Sequence, residues 1–299
     1  WMAVTLTSAA VLGMIGVLDK AFLYHYARSL RTLPLLIAIG HVPIGIVFIA
    51  ISPFQELTLS GAGWGLGAGV LGGLSAVVFF KVMAKREVTR TIPVVQTYPI
   101  FVAPMAILFL DESLKAFHWF AVLVTVAGAV MMSMRQDARG RGFVIDRSFY
   151  ELLGASLLLA GMNIAAKQAV ETLPVLLVHG LRSFGVAAVL MAFGARHEPL
   201  NEVRRMVAER SPALGIFALN EFVIVNTGMI LNLWATSLGP VSLVSALTAS
   251  SSIFLLAYST LLGLRFRGML GEQVGWRAVI VKTVATTLIV AGVVVISLG

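Results

Sequence analysis

The sequence predicts an all-α membrane protein with ten transmembrane helices. Apolar stretches of about 18 residues or more recur along the whole chain, and each is long enough to cross a hydrocarbon core about 30 Å thick. Only 12% of the residues are charged, whereas a soluble domain carries roughly a quarter. The charged residues fall mainly in short loops between the apolar stretches. These observations exclude a soluble protein with a single membrane anchor.

The first half of the chain holds five such segments. They lie at residues 2–24, 33–51, 62–83, 91–110 and 117–134. Segment 3 is rich in small residues, which allow neighbouring helices in a membrane to approach closely. These small residues are Gly61, Gly65, Gly69, Gly72, Gly73 and Ala76.

The second half repeats this organisation after a basic stretch at 135–148. Its segments lie at residues 149–170, 174–194, 212–236, 240–262 and 276–298. The longest polar stretch, 196–210, predicts a short amphipathic helix on the membrane surface. No part of the chain has the composition of a soluble domain.

Loop charges predict the orientation. Nearly all loop lysines and arginines follow odd-numbered segments, whereas Lys115 stands in a loop after an even-numbered one. Basic loops stay in the cytoplasm by the positive-inside rule. The predicted cytoplasmic loops are 28–32, 84–91, 135–148, 195–211 and 263–276. With ten helices, both termini then face outward.

The two halves resemble each other. Segments 1 and 6 place Lys20 and Lys167 near their C-terminal ends, and segments 2 and 7 both open with Thr-Leu-Pro. Because five is an odd number, a second copy must enter the membrane from the opposite side, as in many secondary transporters. The sequence therefore predicts two inverted five-helix repeats, 1–134 and 149–299, joined by a cytoplasmic linker at 135–148.

Segments 4 and 5 carry the most specific pattern. It runs from Pro93 through Tyr98-Pro99-Ile100-Phe101 to Leu108-Phe109-Leu110-Asp111-Glu112, followed by a valine-rich tail around Gly128. This pattern resembles the EamA-type members of the drug/metabolite transporter superfamily, and the resemblance covers nearly the whole chain. It implies a multi-pass transporter, which we expect in the plasma membrane, specifically a bacterial inner membrane.

The resemblance has departures. In segment 9, Ser250-Ser251-Ser252 replaces the usual proline, and Leu262-Gly263 stands where a terminal glutamate is expected. Family members with ten helices are usually drawn with cytoplasmic termini, whereas the loop charges of this sequence place both termini outside.

Charged residues inside the membrane indicate a functional cavity, because each costs at least roughly 2.5–3.5 kcal/mol at a helix centre. Arg182 lies well inside segment 7, and Glu221 lies near the middle of segment 8, which also carries Asn226 and Asn232. We expect segment 8 to line the cavity. Arg182 and Glu221 lie at similar depths below the 195–211 loop, which predicts a pair, direct or through substrate or water. A purely structural partnership is the alternative for Arg182.

Four further residues are candidate substrate ligands besides Lys20. Lys167 and Asn163 are four residues apart and share a face of segment 6. The alternative for Lys20 and Lys167 is that each extends its amine to the membrane surface. Gln96 and Tyr98 offer neutral hydrogen-bonding groups in segment 4. Tyr98 equally suits an interfacial belt of aromatic residues.

Three residues are candidates for ion coupling: Glu221, Asp19 and His179. A histidine ring titrates near neutral pH, so both His41 and His179 have the chemistry of a proton carrier. The alternative for each histidine is a hydrogen-bonded contact between two helices. Protons are accordingly one candidate coupling ion.

Catalysis is not predicted. The chain has no cysteine, which excludes disulfides and thiolate metal ligands. It has no G-x-S-x-G, no nucleotide-binding G-x-x-x-x-G-K-[ST] and no metal-ligand spacing. We expect no enzyme activity, no cofactor and no metal. The net charge of +8 follows from membrane topology, so nucleic acid is not an expected partner.

The leading hypothesis is a secondary active transporter that exports a small polar metabolite by alternating access. A surplus of interior cations (Lys20, Lys167, Arg182 and Lys282) favours a substrate with a carboxylate or phosphate. An amino acid or an organic anion fits, with Glu221 and Asn232 available for an ammonium. The alternative is a lipid or polyprenyl-carrier flippase, or a membrane subunit that transports nothing. Expected partners are the substrate and the bilayer, with the chain as a monomer or homodimer.

Overall fold

The computed structural model describes residues 1–53, 56–85, 91, 94–133, 147–265, 284–285, 287–288, 291–292 and 295. Within these residues every regular element is a helix. The helices of the first half are α1 (Met2–His25), α2 (Thr32–Ala50), α3 (Leu59–Met83), α4 (Pro99–Leu110) and α5 (Ala116–Ser133).

The described residues 147–265 form seven further helices and one π-helical segment. They are α6 (Arg147–Val170), α7 (Val175–Gly194), α8 (His197–Ala208), α9 (Pro212–Ala218), the π-helical segment (Leu219–Val225), α10 (Asn226–Leu238), α11 (Val241–Thr248) and α12 (Ser251–Arg265).

Seven helical stretches of the described chain are long and apolar enough to cross a bilayer, and α4 is a shorter apolar helix. The predicted multi-pass membrane protein is thereby confirmed. Segment 10 falls largely outside the described residues, although those described within 276–298 are helical. Most of the 135–148 linker and Lys282 also lie outside the described part.

Helix α7 lies at the centre of the best-packed region, against α2 and α3, and α3 also packs along α6. The α3–α7 crossing requires glycine. A Cβ on Gly69 would lie 2.1 Å from the Arg182 carbonyl oxygen, and one on Gly185 would lie 2.4 Å from the Leu66 carbonyl oxygen. The predicted close packing of segment 3 is confirmed, and it holds the backbone of Arg182 against α3.

Segment 4 is interrupted rather than continuous. A regular helix was predicted from residue 91, but residues 96–98 form a turn and α4 begins at Pro99. Pro99 has no N–H to donate to the preceding turn. The Ser156 hydroxyl on α6 instead lies 2.9 Å from the carbonyl oxygens of both Val94 and Val95.

Segment 9 is interrupted in a similar way. The prediction was one helix over 240–262, but α11 ends at Thr248 and α12 begins at Ser251, with a turn at residues 249–250. The Ser250-Ser251-Ser252 run lies at this break, and the Ser251 hydroxyl accepts from Gln96 Nε2 at 2.6 Å.

Segment 8 spans the membrane as one helix, Pro212–Leu238, but its middle is π-helical from Leu219 to Val225. At the end of this segment the Asn226 side-chain amide donates to the Glu221 carbonyl oxygen at 2.7 Å. Such π-bulges occur frequently at functional sites. The local widening determines where the Glu221 side chain leaves the helix.

Two carboxylates connect the first half of the chain with the second. Glu202 on the surface helix α8 accepts from the backbone N–H groups of Arg28 and Ser29, at 2.6 and 3.2 Å, and from the Thr32 hydroxyl. Loops 28–32 and 195–211 therefore lie at the same end of the bundle. Glu112 follows α4 and accepts from the Val241 N–H at 2.6 Å.

Candidate functional site: a central polar cavity

A cavity of about 280 Å³ lies inside the helical bundle. Its walls are mostly apolar and come from α1, α2, α3, α6, α7, the π-helical segment, α10 and the interrupted segments 4 and 9. Its polar and charged lining residues are Asp19, His41, Ser75, Gln96, Tyr98, Asn163, Arg182, Glu221, Asn232, Thr248 and Ser251. Ligand sites usually range from about 300 to 1,000 Å³, so this cavity suits a small ligand.

Glu221 contacts His41 across the cavity wall. The Nδ1 atom of His41 on α2 lies 2.7 Å from Glu221 Oε1 and 3.0 Å from the Ile37 carbonyl oxygen. Glu221 is only 1% exposed. A buried carboxylate beside an imidazole can share a proton with it, and the pair is ionic only when the ring is protonated.

Asp19 lies beside the same segment but has a different partner. The Asn220 side-chain amide donates to Asp19 Oδ1 at 2.8 Å, and both residues are buried. Two adjacent residues of the π-helical segment thus contact two different helices. Asn220 contacts Asp19 on α1, and Glu221 contacts His41 on α2. The carboxylates of Asp19 and Glu221 therefore line one cavity.

Arg182 also faces the cavity and is 5% exposed. Among the described residues, none forms an ion pair or a side-chain hydrogen bond with its guanidinium. Glu221, its predicted partner, is paired with His41 instead, so the direct form of the predicted pair is not observed. A buried guanidinium without a protein acceptor is costly. Arg182 is consequently the strongest candidate ligand for an anionic group.

Where segments 4 and 9 are interrupted, their polar groups meet. Gln96 Nε2 donates to Ser251 Oγ at 2.6 Å, and the amide of Asn232 on α10 donates to Thr248 Oγ1 at 3.0 Å. Gln96 Oε1 is buried without a partner among the described atoms. Discontinuous helices frequently form substrate sites in transporters, because their free backbone and side-chain groups face the cavity.

Tyr98 and Asn163 complete the neutral part of the lining. The Tyr98 hydroxyl lies 3.3 Å from the Ser245 carbonyl oxygen and is buried, so Tyr98 is not an interfacial residue. The Asn163 amide donates to the Leu159 carbonyl oxygen of its own helix at 2.7 Å. Its Oδ1 makes no hydrogen bond to a described residue, which leaves an acceptor at the cavity.

Three predicted site residues, Lys167, His179 and Asn226, lie outside the described cavity lining. Lys167 Nζ lies 3.1 Å from the Thr236 carbonyl oxygen and 3.7 Å from Glu171, near the end of its helix. His179 Nε2 lies 2.7 Å from Asn226 Oδ1 between α7 and α10, while His179 Nδ1 is buried without a partner among the described atoms. The side chain of Lys20 lies outside the described part of the structure.

Two of the four expected interior cations, Lys20 and Lys282, have side chains outside the described part of the structure, so the charge balance is given for the described lining alone. Its described ionisable side chains are Arg182 and His41 on one side and Asp19 and Glu221 on the other. The lining therefore offers both a cation and carboxylates. From the sequence, His41 was a candidate proton carrier only because it is a histidine. Its contact with Glu221 was not predicted, because the two residues are distant in the chain. Ser251 and Thr248 were not predicted, since hydroxyls are common in membrane helices.

Comparisons with known proteins agree with this architecture. A solved crystal structure of a protein aligns with 99% of this chain and 97% of its own length, at a TM-score of 0.64 and 16% sequence identity. At this identity the similarity shows the fold alone. No curated protein matches the sequence.

The sequence profile of the EamA-like transporter family matches residues 1–134. This range is the first of the two predicted repeats, and it contains the Tyr98-Pro99 and Glu112 motifs of segment 4. The resemblance identified from those motifs is confirmed. Residues 1–134 therefore match the EamA-like transporter family, which is part of the drug/metabolite transporter superfamily.

Proposed function

We propose that this protein is a secondary active transporter that exports an amino acid by alternating access around the central cavity. The family match supports transport across a membrane. The observation that carries the choice of substrate is Arg182, a buried guanidinium without a described protein acceptor, in the same cavity as two carboxylates. A guanidinium suits a carboxylate, and the two carboxylates suit an ammonium.

The proposed binding mode assigns one group to each end of the amino acid. Arg182 binds the carboxylate, because a guanidinium donates two parallel hydrogen bonds to two oxygens. Glu221 or Asp19 binds the ammonium, and Asn163 and Asn232 offer further hydrogen bonds. A zwitterion also brings no net charge into the bundle, which limits the electrostatic cost of binding.

Coupling is proposed at the Glu221–His41 contact. When Glu221 takes up a proton, its attraction for a substrate ammonium weakens, so proton binding and substrate binding compete at one carboxylate. Competition of this kind exchanges a proton for an amino acid across the membrane. Under the proposed orientation, with the basic loops in the cytoplasm, inward proton flow drives export.

Two features support the proposal that residues 1–134 and 149–299 are inverted repeats. The interruptions in segments 4 and 9 occupy corresponding positions in the two halves and meet through Gln96 and Ser251. Packing is also reciprocal, since α3 and α4 pack on α6, while α10 and α12 pack on α1. Inverted repeats place the substrate site between the halves.

The test is counterflow of labelled amino acids into proteoliposomes loaded with the unlabelled compound. A panel of amino acids is compared with their deaminated acids and their carboxyl amides. We expect exchange of at least one amino acid, with each altered analogue at least about tenfold slower, since each loses one charged contact worth ~1.5–3 kcal/mol. The Arg182→Gln variant is expected to lose exchange, with Lys167→Met as its control.

Two results would contradict the proposal. One is an absence of exchange across the whole panel together with no shift in melting temperature on adding any member. The other is rapid flipping of a labelled phospholipid without amino-acid exchange, which would favour a lipid or polyprenyl-carrier flippase. Chemical cross-linking in the same liposomes distinguishes a monomer from a homodimer.

A further inference from the structure

A second pocket, of about 760 Å³, lies at the end of the bundle where loop 28–32 meets the ends of α3, α6 and α7. It shares no lining residue with the central cavity. Four of its lining residues are basic: Arg31, Lys81, Lys85 and Arg147. Its one described acid is Glu151.

The cations in this pocket are held close together. The Arg31 Cζ atom lies 5.0 Å from the centre of the Phe193 ring, and Lys81 Nζ lies 5.2 Å from the same centre. Glu151 is already paired with Arg147, whose Nε lies 3.1 Å from Glu151 Oε1. Within the described residues, no carboxylate is paired with Arg31, Lys81 or Lys85. The described lining of the pocket therefore holds more cations than its one described acid neutralises.

Neighbouring cations repel one another, and an anion between them removes that repulsion. Phe193 accounts for part of the arrangement, because the face of an aromatic ring attracts a cation. The same contacts hold two basic side chains in fixed positions at one ring. A phosphate group has several oxygens that accept hydrogen bonds from arginine and lysine at once.

We propose that this pocket binds the phosphate of an anionic phospholipid headgroup. Lys81 is in the last turn of α3 and Arg31 immediately precedes α2, so the pocket lies at the ends of spanning helices, where headgroups are found. Leu30, an exposed leucine, lies in the same wall and offers an apolar contact for the lipid. Basic pockets between transmembrane helices are a known mode of headgroup binding.

The choice of a lipid over a soluble phosphate rests on this position. An anionic leaflet presents phosphates permanently at the ends of the helices, and its negative surface potential attracts nearby lysine and arginine side chains. A free phosphate has the same chemistry but no apolar part to contact Leu30.

The experiment uses the purified, delipidated full chain in detergent. Phosphatidylglycerol, phosphatidylcholine or inorganic phosphate is added, and the melting temperature and the lipid retained in native mass spectrometry are measured. We expect phosphatidylglycerol to raise the melting temperature by about 5 °C more than phosphatidylcholine. This difference and the retained lipid are expected to disappear in Lys81→Gln/Lys85→Gln.

The matched control is Arg196→Gln/Arg204→Gln, which removes the same charge from exposed positions outside the pocket and is expected to behave as the wild type. Equal effects of the two lipids, or an equal loss in the control, would overturn the proposal. Inorganic phosphate that matches phosphatidylglycerol and displaces it would overturn the assignment to a lipid. If the double variant does not fold, the single variant Lys85→Gln, at an exposed position, gives the same readout.

Discussion

The carboxylates in the cavity differ from those at the ends of the bundle in the kind of partner they have. Glu202 and Glu112 accept hydrogen bonds from backbone N–H groups and from a hydroxyl. Glu221 and Asp19 contact side chains, a histidine and an asparagine respectively. All four carboxylates join residues that are distant in sequence, but the contacts of the cavity pair are to side chains, whereas Glu202 and Glu112 also accept from backbone N–H groups.

This difference distinguishes a structural role from a role in transport. A backbone N–H always donates, so it stabilises the charged carboxylate in every state that keeps the contact. An imidazole can donate, accept or carry a proton, so its contact with Glu221 changes with protonation. We infer that Glu202 and Glu112 connect the halves at opposite ends, while Glu221 exchanges partners during transport.

Glu202→Ala is expected to have the largest effect on stability. The change removes an acceptor shared by two backbone N–H groups and the Thr32 hydroxyl, with Glu202 buried. Hydrogen bonds to a charged group contribute ~1.5–3 kcal/mol each and are not additive, so the free energy of unfolding should fall by about 3 kcal/mol. Unfolding in mixed micelles measures it. Glu198→Ala, an exposed acid on the same helix, is the control, and an equal loss there would refute the assignment.

Glu112→Gln is expected to have a smaller effect of the same kind. Glutamine keeps one oxygen for the Val241 N–H but loses the charge, which roughly halves the strength of such a hydrogen bond. The free energy of unfolding should fall by about 1 kcal/mol. Asp111→Asn, at the neighbouring exposed residue, should leave it unchanged. Unaltered stability in Glu112→Gln would show that the contact does not hold segment 9.

The smallest effect is expected for Lys167→Met, measured by amino-acid exchange in liposomes. Lys167 bonds to carbonyl groups outside the cavity, so the exchange rate should change less than about twofold. Asn163→Leu, one turn away on the same helix but in the cavity lining, should slow exchange about tenfold. If Lys167→Met slowed exchange more than Asn163→Leu did, the substrate path would lie near the end of α6 and not at the cavity.

Much of the fold was predictable because membrane helices leave a strong signal. Length and apolarity located segments 1, 2, 3, 6 and 7 to within a few residues of the observed helices. The interruptions in segments 4 and 9 were missed because apolar residues continue through each break. The π-helical segment was missed for the same reason, since one wider turn does not alter the composition of a helix.

The site was only partly predictable. Arg182, Glu221, Asp19 and Gln96 were identifiable because polar groups are costly in a membrane, and the structure places all four at one cavity. Their partners were not identifiable, since Glu221 and His41 meet only through the packing of α2 against the π-helical segment. Lys167 was also identified by its charge, but it bonds to nearby carbonyl groups and does not line the cavity.

The most direct test of this account compares gradient-driven accumulation with exchange in the Glu221→Gln protein. Both are measured in the same proteoliposomes, with an imposed pH gradient for accumulation and equal pH for exchange. The account predicts that Glu221→Gln folds with an unchanged melting temperature and keeps exchange at a rate reduced by the lost charge, since Asp19 and the glutamine oxygen still suit an ammonium. It predicts that accumulation is lost, because glutamine cannot take up a proton. Wild-type accumulation in Glu221→Gln would contradict the coupling role of this carboxylate.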